Sequence, residues 1–110
     1  MTASGIAGRN EIFLLETVVA GTTHCPGIEW VAQFMEVGWE LAMLRDPANI
    51  HDGCAIALFA GDTRVGWIPR GDNPVLSRLM DAGKYLVCRV HGIEWVGGWL
   101  KVTVRVSMAE

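Results

Sequence analysis

The sequence predicts a mainly β domain with a minor α component: a small β-barrel or strongly curved sheet of about six strands, with one or two short helices. Three observations carry this. Apolar and polar residues alternate along several short runs, the period of a half-buried strand. Gly61-Asp62 and Gly97-Gly98 separate pairs of such runs closely enough for antiparallel hairpins. The segment after Asn73-Pro74 carries apolar residues at helical spacing.

Residues 1–10 are small and polar and are expected to fray, leaving a domain over 11–107. Glu11 to Val19 is rich in β-branched and aliphatic residues and reads as the first strand. Ala20 to Gly27 reads as a loop from its Gly, Thr and Pro content. From Val37 to Met43, Val37, Trp39, Leu41 and Met43 alternate with Gly38, Glu40 and Ala42, which predicts a strand ended by Arg45-Asp46-Pro47. Cys54 to Ala60 is apolar on both faces and pairs with Arg64 to Ile68. Pro69 stops that ladder because it has no N–H to donate. Asn73 is placed to cap a helix with Pro74 at its first position. Val75, Leu76, Leu79 and Met80 fall on one helical face, and Gly83 is its stop.

The last third is a long hairpin. On its returning strand Leu100, Val102, Val104 and Val106 are apolar; on its outgoing strand Leu86, Cys88 and Val90 are. Nearer the tip the apolar parity flips to Ile93 and Trp95. A two-residue turn sets Trp95 opposite Leu100, and that register would turn His91 and Arg89 into the core. A β-bulge near His91-Gly92 restores the pattern and is predicted there. The pentapeptide at Gly27-Ile28-Glu29-Trp30-Val31 recurs at Gly92-Ile93-Glu94-Trp95-Val96, too briefly for a repeat architecture. Strands, one helix, then strands again suggest an OB-like barrel.

The chain has 110 residues, enough for one core; 51% of it is hydrophobic and 19% charged, which argues against disorder. A net charge of −3 argues against a protein held to duplex DNA by bulk positive charge. No apolar run reaches the ~20 residues of a membrane span, and the N-terminus lacks the pattern of a secretory signal. Cys25, Cys54 and Cys88 are odd in number and widely spaced, so reduced thiols and a cytoplasmic location are expected.

The stretch from Leu44 to Arg70 is the most informative. Arg45, Asp46, Asn49, His51 and Asp52 crowd into a polar loop anchored on an apolar strand, the usual arrangement of a binding site on a rigid scaffold. The same stretch resembles the HIRAN family. That family's motif has the form R-[DE]-P-x-N-x-[YH]-D-x-x-A-I, then a turn, then V-G-[YHW]-[IL]-P. Here it is met by Arg45, Asp46, Pro47, Asn49, His51, Asp52, Ala55 and Ile56, then by Val65, Gly66, Trp67, Ile68 and Pro69. With the helix and final hairpin, the resemblance covers roughly residues 15–107.

The resemblance implies a modified OB-like barrel that occurs fused to helicases or as stand-alone bacterial proteins. Without a helicase motif, this chain is expected to be of the stand-alone kind. In fork-remodelling members the domain captures the 3′ end of single-stranded DNA. By position, the resemblance gives Asp52 the terminal 3′-hydroxyl, Arg70 the adjoining phosphate, and Trp67 and His51 the terminal bases. Asn49 would hold the loop or a base edge. Two departures stand out. Position 51 is His where Tyr is usual. The DNA-binding members' basic-aromatic clamp is replaced by Gly21-Thr22-Thr23-His24-Cys25-Pro26-Gly27, where Thr23 and His24 are the candidate contacts.

Each candidate has a structural alternative. Asp52 could cap its own loop. Arg45 could pair with Asp46 or Asp52 and fix the loop. Trp67 could be core, and Arg70 solvated or part of a phosphate site with the N–H groups after Asn73. Pairs of Cys and His also admit a zinc alternative through His24, Cys25, His51 and Cys54, although structural zinc wants four converging ligands. Tyr85, Arg89, Trp99, Lys101 and Arg105 should point outward and could bind single strands or a protein. The leading expectation is therefore a non-enzymatic module for single-stranded DNA ends in DNA repair or processing, with no cofactor and no membrane. The alternative is a protein-interaction or homo-oligomerisation module.

Overall fold

A computed structural model describes residues 10–110; the fraying expected over residues 1–10 lies, apart from Asn10, outside them. In chain order the elements are β1 (Glu11–Val18), α1 (Ile28–Ala32), β2 (Glu40–Arg45), β3 (Ile56–Ala60), β4 (Thr63–Trp67), α2 (Asn73–Asp81), β5 (Tyr85–Val96) and β6 (Trp99–Ala109), with one 3₁₀ turn at Thr22–His24. The strands form a six-stranded sheet in the order β1-β6-β5-β2-β3-β4, and every pair in it is antiparallel. No helix among the described residues is long and apolar enough to cross a membrane.

The sheet is open, yet it curls until its two edges touch. Ala20, just beyond β1, and Trp67, at the end of β4, exchange both backbone hydrogen bonds, at 2.8 and 2.9 Å. Gly66 makes that approach feasible. A Cβ there would lie 2.4 Å from Val19 Cγ1 and 2.5 Å from the Ala20 carbonyl oxygen. The glycine of the Val65-Gly66-Trp67 motif is thus where the chain closes on itself.

The long hairpin has the register its apolar pattern demands. Trp95 pairs with Leu100 and Ile93 with Val102; beyond the tip Val90 pairs with Val104 and Cys88 with Val106. The register shifts between Val90 and Gly92, so His91 is the extra residue. That bulge keeps Cys88 and Val90 buried together with Val102, Val104 and Val106. A second bulge lies in β4, where Leu58 pairs with Gly66 but Phe59 pairs with Arg64, leaving Val65 extra.

The core joins both ends of the curved sheet to the helices. Val19, Ile28, Met35, Leu41, Ile56, Leu58, Val65 and Leu76 pack with the buried residues of β5 and β6. Several boundaries differ from those the sequence suggests. The strand expected over 37–43 runs from Glu40 to Arg45, and Val37 is exposed. Gly38 takes φ 99°, outside the strand region, so the chain turns before pairing begins. The strand expected from Cys54 starts at Ile56 because Cys54 and Ala55 serve the loop's hydrogen bonds. α1 falls in a stretch whose residues carry neither strand alternation nor a helix of usual length, and its Ile28 and Val31 face the core.

α2 corrects two expectations. Asn73 does not cap it: the N-cap is Asp72, without a side-chain cap bond, and the Asn73 side chain is buried and used elsewhere. Val75 is exposed, whereas Leu76 is buried and Leu79 and Met80 pack half-buried against the core as expected; Asn73 and Ser77 are buried beside them. Two polar residues can sit there because each has a partner: Ser77 donates to the Pro74 carbonyl and Asn73 to the loop across from it. Gly83, at φ 88°, ends the helix as expected. Its N–H reaches the Met80 carbonyl and the Lys84 N–H reaches that of Leu79, a Schellman stop.

Candidate nucleic-acid interface

The loop between β2 and β3 is built on Asn49. Its side-chain oxygen accepts from the N–H groups of His51 (2.9 Å) and Asp52 (3.1 Å), and its amide donates to Asp46 (3.2 Å). That turn aims the Asp52 carboxylate at α2. Oδ1 accepts from the Cys54 N–H at 2.9 Å, and Oδ2 accepts from the Asn73 side-chain amide at 2.8 Å. Arg70 stands over the same group: its Nε lies 3.6 Å from Asp52 Oδ2 and its Nη2 donates to the His51 carbonyl at 3.1 Å. The Asn73 amide first, then the Cys54 N–H, hold the Asp52 pKa below the ordinary carboxylate range, so the group is ionised at neutral pH.

Five candidates from the sequence, Asn49, His51, Asp52, Trp67 and Arg70, line one cleft of about 360 Å³ with Gly21, Ile68 and Asn73. Trp67 forms part of its wall, half-buried rather than core. The Arg64 guanidinium lies 5.1 Å from its ring centroid. In a regular strand residues three apart face opposite ways. The extra residue Val65 brings Arg64 and Trp67, opposite Phe59 and Ala57, to the same face. Nothing local in the sequence marks the Arg64 or Asn73 side chain as part of the site. For Arg64 the parity signal is hidden by the bulge, and Asn73 before Pro74 carries the signature of a cap.

Three candidates lie away from the cleft. Arg45 is clamped: it forms a bidentate pair with Asp81 (2.9 and 3.1 Å) and donates to the carbonyls of Ala55 and Gly53. It braces the loop against α2. Thr23 lines a different cleft, and His24 is exposed on the 3₁₀ turn.

Of the residues of the zinc alternative, His24 and His51 are exposed and Cys54 is half-buried; among the described residues no group of three or more His, Cys, Asp or Glu side chains is placed to hold a metal ion. Cys25 is buried with its thiol 3.5 Å from the Gly21 carbonyl. Burial pushes the Cys88 thiol up to about 12. The outward hairpin face carries Tyr85, Arg89, Trp99, Lys101 and Arg105, but its arginines are engaged. Arg89 pairs with Glu11 at 2.6 Å; Arg105 pairs with Glu16 at 2.9 Å and lies over Phe13.

Comparison with known proteins agrees with this architecture. A protein of Lactobacillus plantarum, known from its crystal structure, superposes with a TM-score of 0.84 at 22% identity, over 94% of this chain and 99% of that one. The HIRAN domain of human HLTF superposes with a TM-score of 0.70 at 17% identity, over 90% of this chain and 78% of that one. No curated protein matches the sequence. The model of the HIRAN domain matches residues 12–109. Both motifs contribute to the cleft, the first through Asn49, His51, Asp52 and Ala55 and the second through Trp67 and Ile68. The family match spans nearly the whole chain, and the chain belongs to the HIRAN domain family.

Proposed function

We propose that the Asp52 cleft receives the 3′ end of single-stranded DNA, with the free 3′-hydroxyl donating to the Asp52 carboxylate. HIRAN domains are DNA-binding modules, so the question at this site is what part of DNA the cleft fits. The observation that carries the reading is the Asp52 carboxylate itself, ionised at the cleft and fixed on two sides by protein donors. A carboxylate offers about four lone-pair sites, so it retains capacity to accept from a hydroxyl. It would repel a terminal phosphate. Trp67 supplies a ring for a base, and stacking of this kind is worth about 1–3 kcal/mol and is indifferent to sequence. Arg70, 77% exposed, keeps N–H groups turned to solvent for the preceding phosphate. A repair or strand-processing role follows the same family resemblance. The net charge of −3 and the absence of aromatic residues from 21–27 set the expected affinity low.

The test is fluorescence anisotropy at low salt with labelled single strands ending in a 3′-hydroxyl or a 3′-phosphate. Wild type is compared with Asp52→Asn, whose fold is checked by circular dichroism. Preference for the hydroxyl end, lost in a folded Asp52→Asn variant, is the expected result. Equal binding of both ends by wild type would refute the strand-end reading.

A further inference from the structure

A second cleft, of about 460 Å³, opens between α1 and the tip of the β5–β6 hairpin. Trp30 and Trp95 both line it, 64% and 51% exposed. Exposed aromatic side chains scattered singly are ordinary, but two gathered in one cleft form a patch of the kind that marks contact surfaces. They come from the two copies of the Gly-Ile-Glu-Trp-Val pentapeptide, one folded as helix and the other as strand. Trp30 is held by Phe34, its ring centroid 5.1 Å away at an interplanar angle of 70°. Among the described residues lining the cleft, Glu29 alone is charged. The neighbouring cleft that shares Trp30 also holds one charged residue, Glu40. The aromatic strip is thus flanked by carboxylates, with no basic residue among the described residues that line either cleft.

We propose that the Trp30–Trp95 cleft docks an arginine or lysine side chain presented by an apolar segment of a partner protein. Charge complementarity selects that occupant. The negative faces of two indole rings and one carboxylate attract a cation together, while the rings bury the apolar flanks. Nucleic acid suits the cleft poorly. Gly21 lines the Asp52 cleft and Thr22 this one, so the two adjoin, but a phosphate here would face Glu29 without a compensating base. The inference stands independently of the strand-end reading, because it uses none of the Asp52 cleft's side chains.

The experiment titrates the full chain with a labelled peptide of alternating arginine and leucine, and with its citrulline analogue, which keeps the shape and removes the charge. A labelled thymidine oligonucleotide is run in parallel. Saturable binding of the arginine peptide, about threefold to tenfold weaker for Glu29→Gln and for the citrulline analogue, is expected. Trp95→Ala should weaken it by about tenfold or more. Oligonucleotide binding should be unchanged in Glu29→Gln. Glu29 and Trp95 are exposed, so the variants should fold, and circular dichroism verifies it. The inference would be overturned by no saturable peptide binding at millimolar concentration, by equal binding of the citrulline analogue, or by oligonucleotide binding that tightens in Glu29→Gln while peptide binding stays the same. Concentration-dependent self-association abolished by Trp95→Ala would also overturn it, giving the cleft to a second copy.

Discussion

Asn73, at the start of α2, donates its side-chain amide to Asp52 Oδ2 across 2.8 Å, tying the helix to the site loop. Asn73 is 2% exposed, so its amide has no recourse to water. The bond therefore both positions the carboxylate and satisfies a buried polar group. Asn73→Ala should lower stability by about 1–3 kcal/mol, the usual cost of orphaning a buried partner of a charged group. It should also raise the Asp52 pKa toward the ordinary range, because the largest influence lowering it is gone. Urea denaturation and an NMR titration of the Asp52 carboxyl check the two effects. An unmoved pKa would show that Asn73 does not set the charge state.

Acid should weaken the fold through two aspartates. Asp52, held down chiefly by Asn73, and Asp81, held down chiefly by its hydrogen bonds from Arg45, both have folded pKa values below the ordinary carboxylate range. The folded state therefore binds these protons less readily than the unfolded chain does. Their contribution is complete above the unfolded value of about 3.9, and it is lost as pH falls through the folded values. The urea midpoint should fall between about pH 5 and pH 2. That fall should be shallower in Asp81→Asn and in Asp52→Asn. Parallel curves for wild type and both variants would assign acid sensitivity to other groups.

How much of this was legible in sequence depends on how locally each signal is encoded. The hairpin was legible because Leu100, Val102, Val104 and Val106 define one face and the parity break at Ile93 demands a bulge. The Asn49–Asp52 loop was legible through its motif and its polar density. What stayed hidden depends on contacts distant in the chain. Asn73 looks like a cap because its partner Asp52 is 21 residues away. Arg64 joins Trp67 only because Val65 bulges. The open sheet with touching edges rests on one bridge, Ala20 to Trp67, that no local pattern announces.

That bridge makes Gly66 sensitive for reasons unrelated to turns. Gly66→Ala places a methyl group within 2.5 Å of the Ala20 carbonyl and closer still to Val19. Backbone on one side and core on the other leave little room to yield. The variant should lose about 1–3 kcal/mol or more, as overpacked sites do, and the Ala20 and Trp67 amides should exchange faster in hydrogen-exchange NMR. Gly61→Ala has open space around it. It tests backbone conformation alone, at φ 59°, and should cost about 1 kcal/mol. Equal stability of Gly66→Ala and wild type would mean that the edges do not meet in solution.

Trp67 and Arg70 offer the last prediction, since they line one cleft but would hold a strand by different physics. Stacking is short-ranged and insensitive to salt, whereas a phosphate contact releases counterions and depends on it. If the strand end lies as proposed, Trp67→Ala should weaken oligonucleotide binding by about five- to 150-fold, the equivalent of 1–3 kcal/mol. The slope of log K against log salt should stay the same. Arg70→Ala should make that slope shallower by roughly 0.7, the value for one phosphate on a single strand. Because Arg70 is largely exposed, its removal should leave the melting temperature within a few degrees. Anisotropy titrations at three or four salt concentrations separate the two effects. A Trp67→Ala variant that changes the slope, or an Arg70→Ala variant that leaves it intact, would break the assignment of ring to base and guanidinium to phosphate.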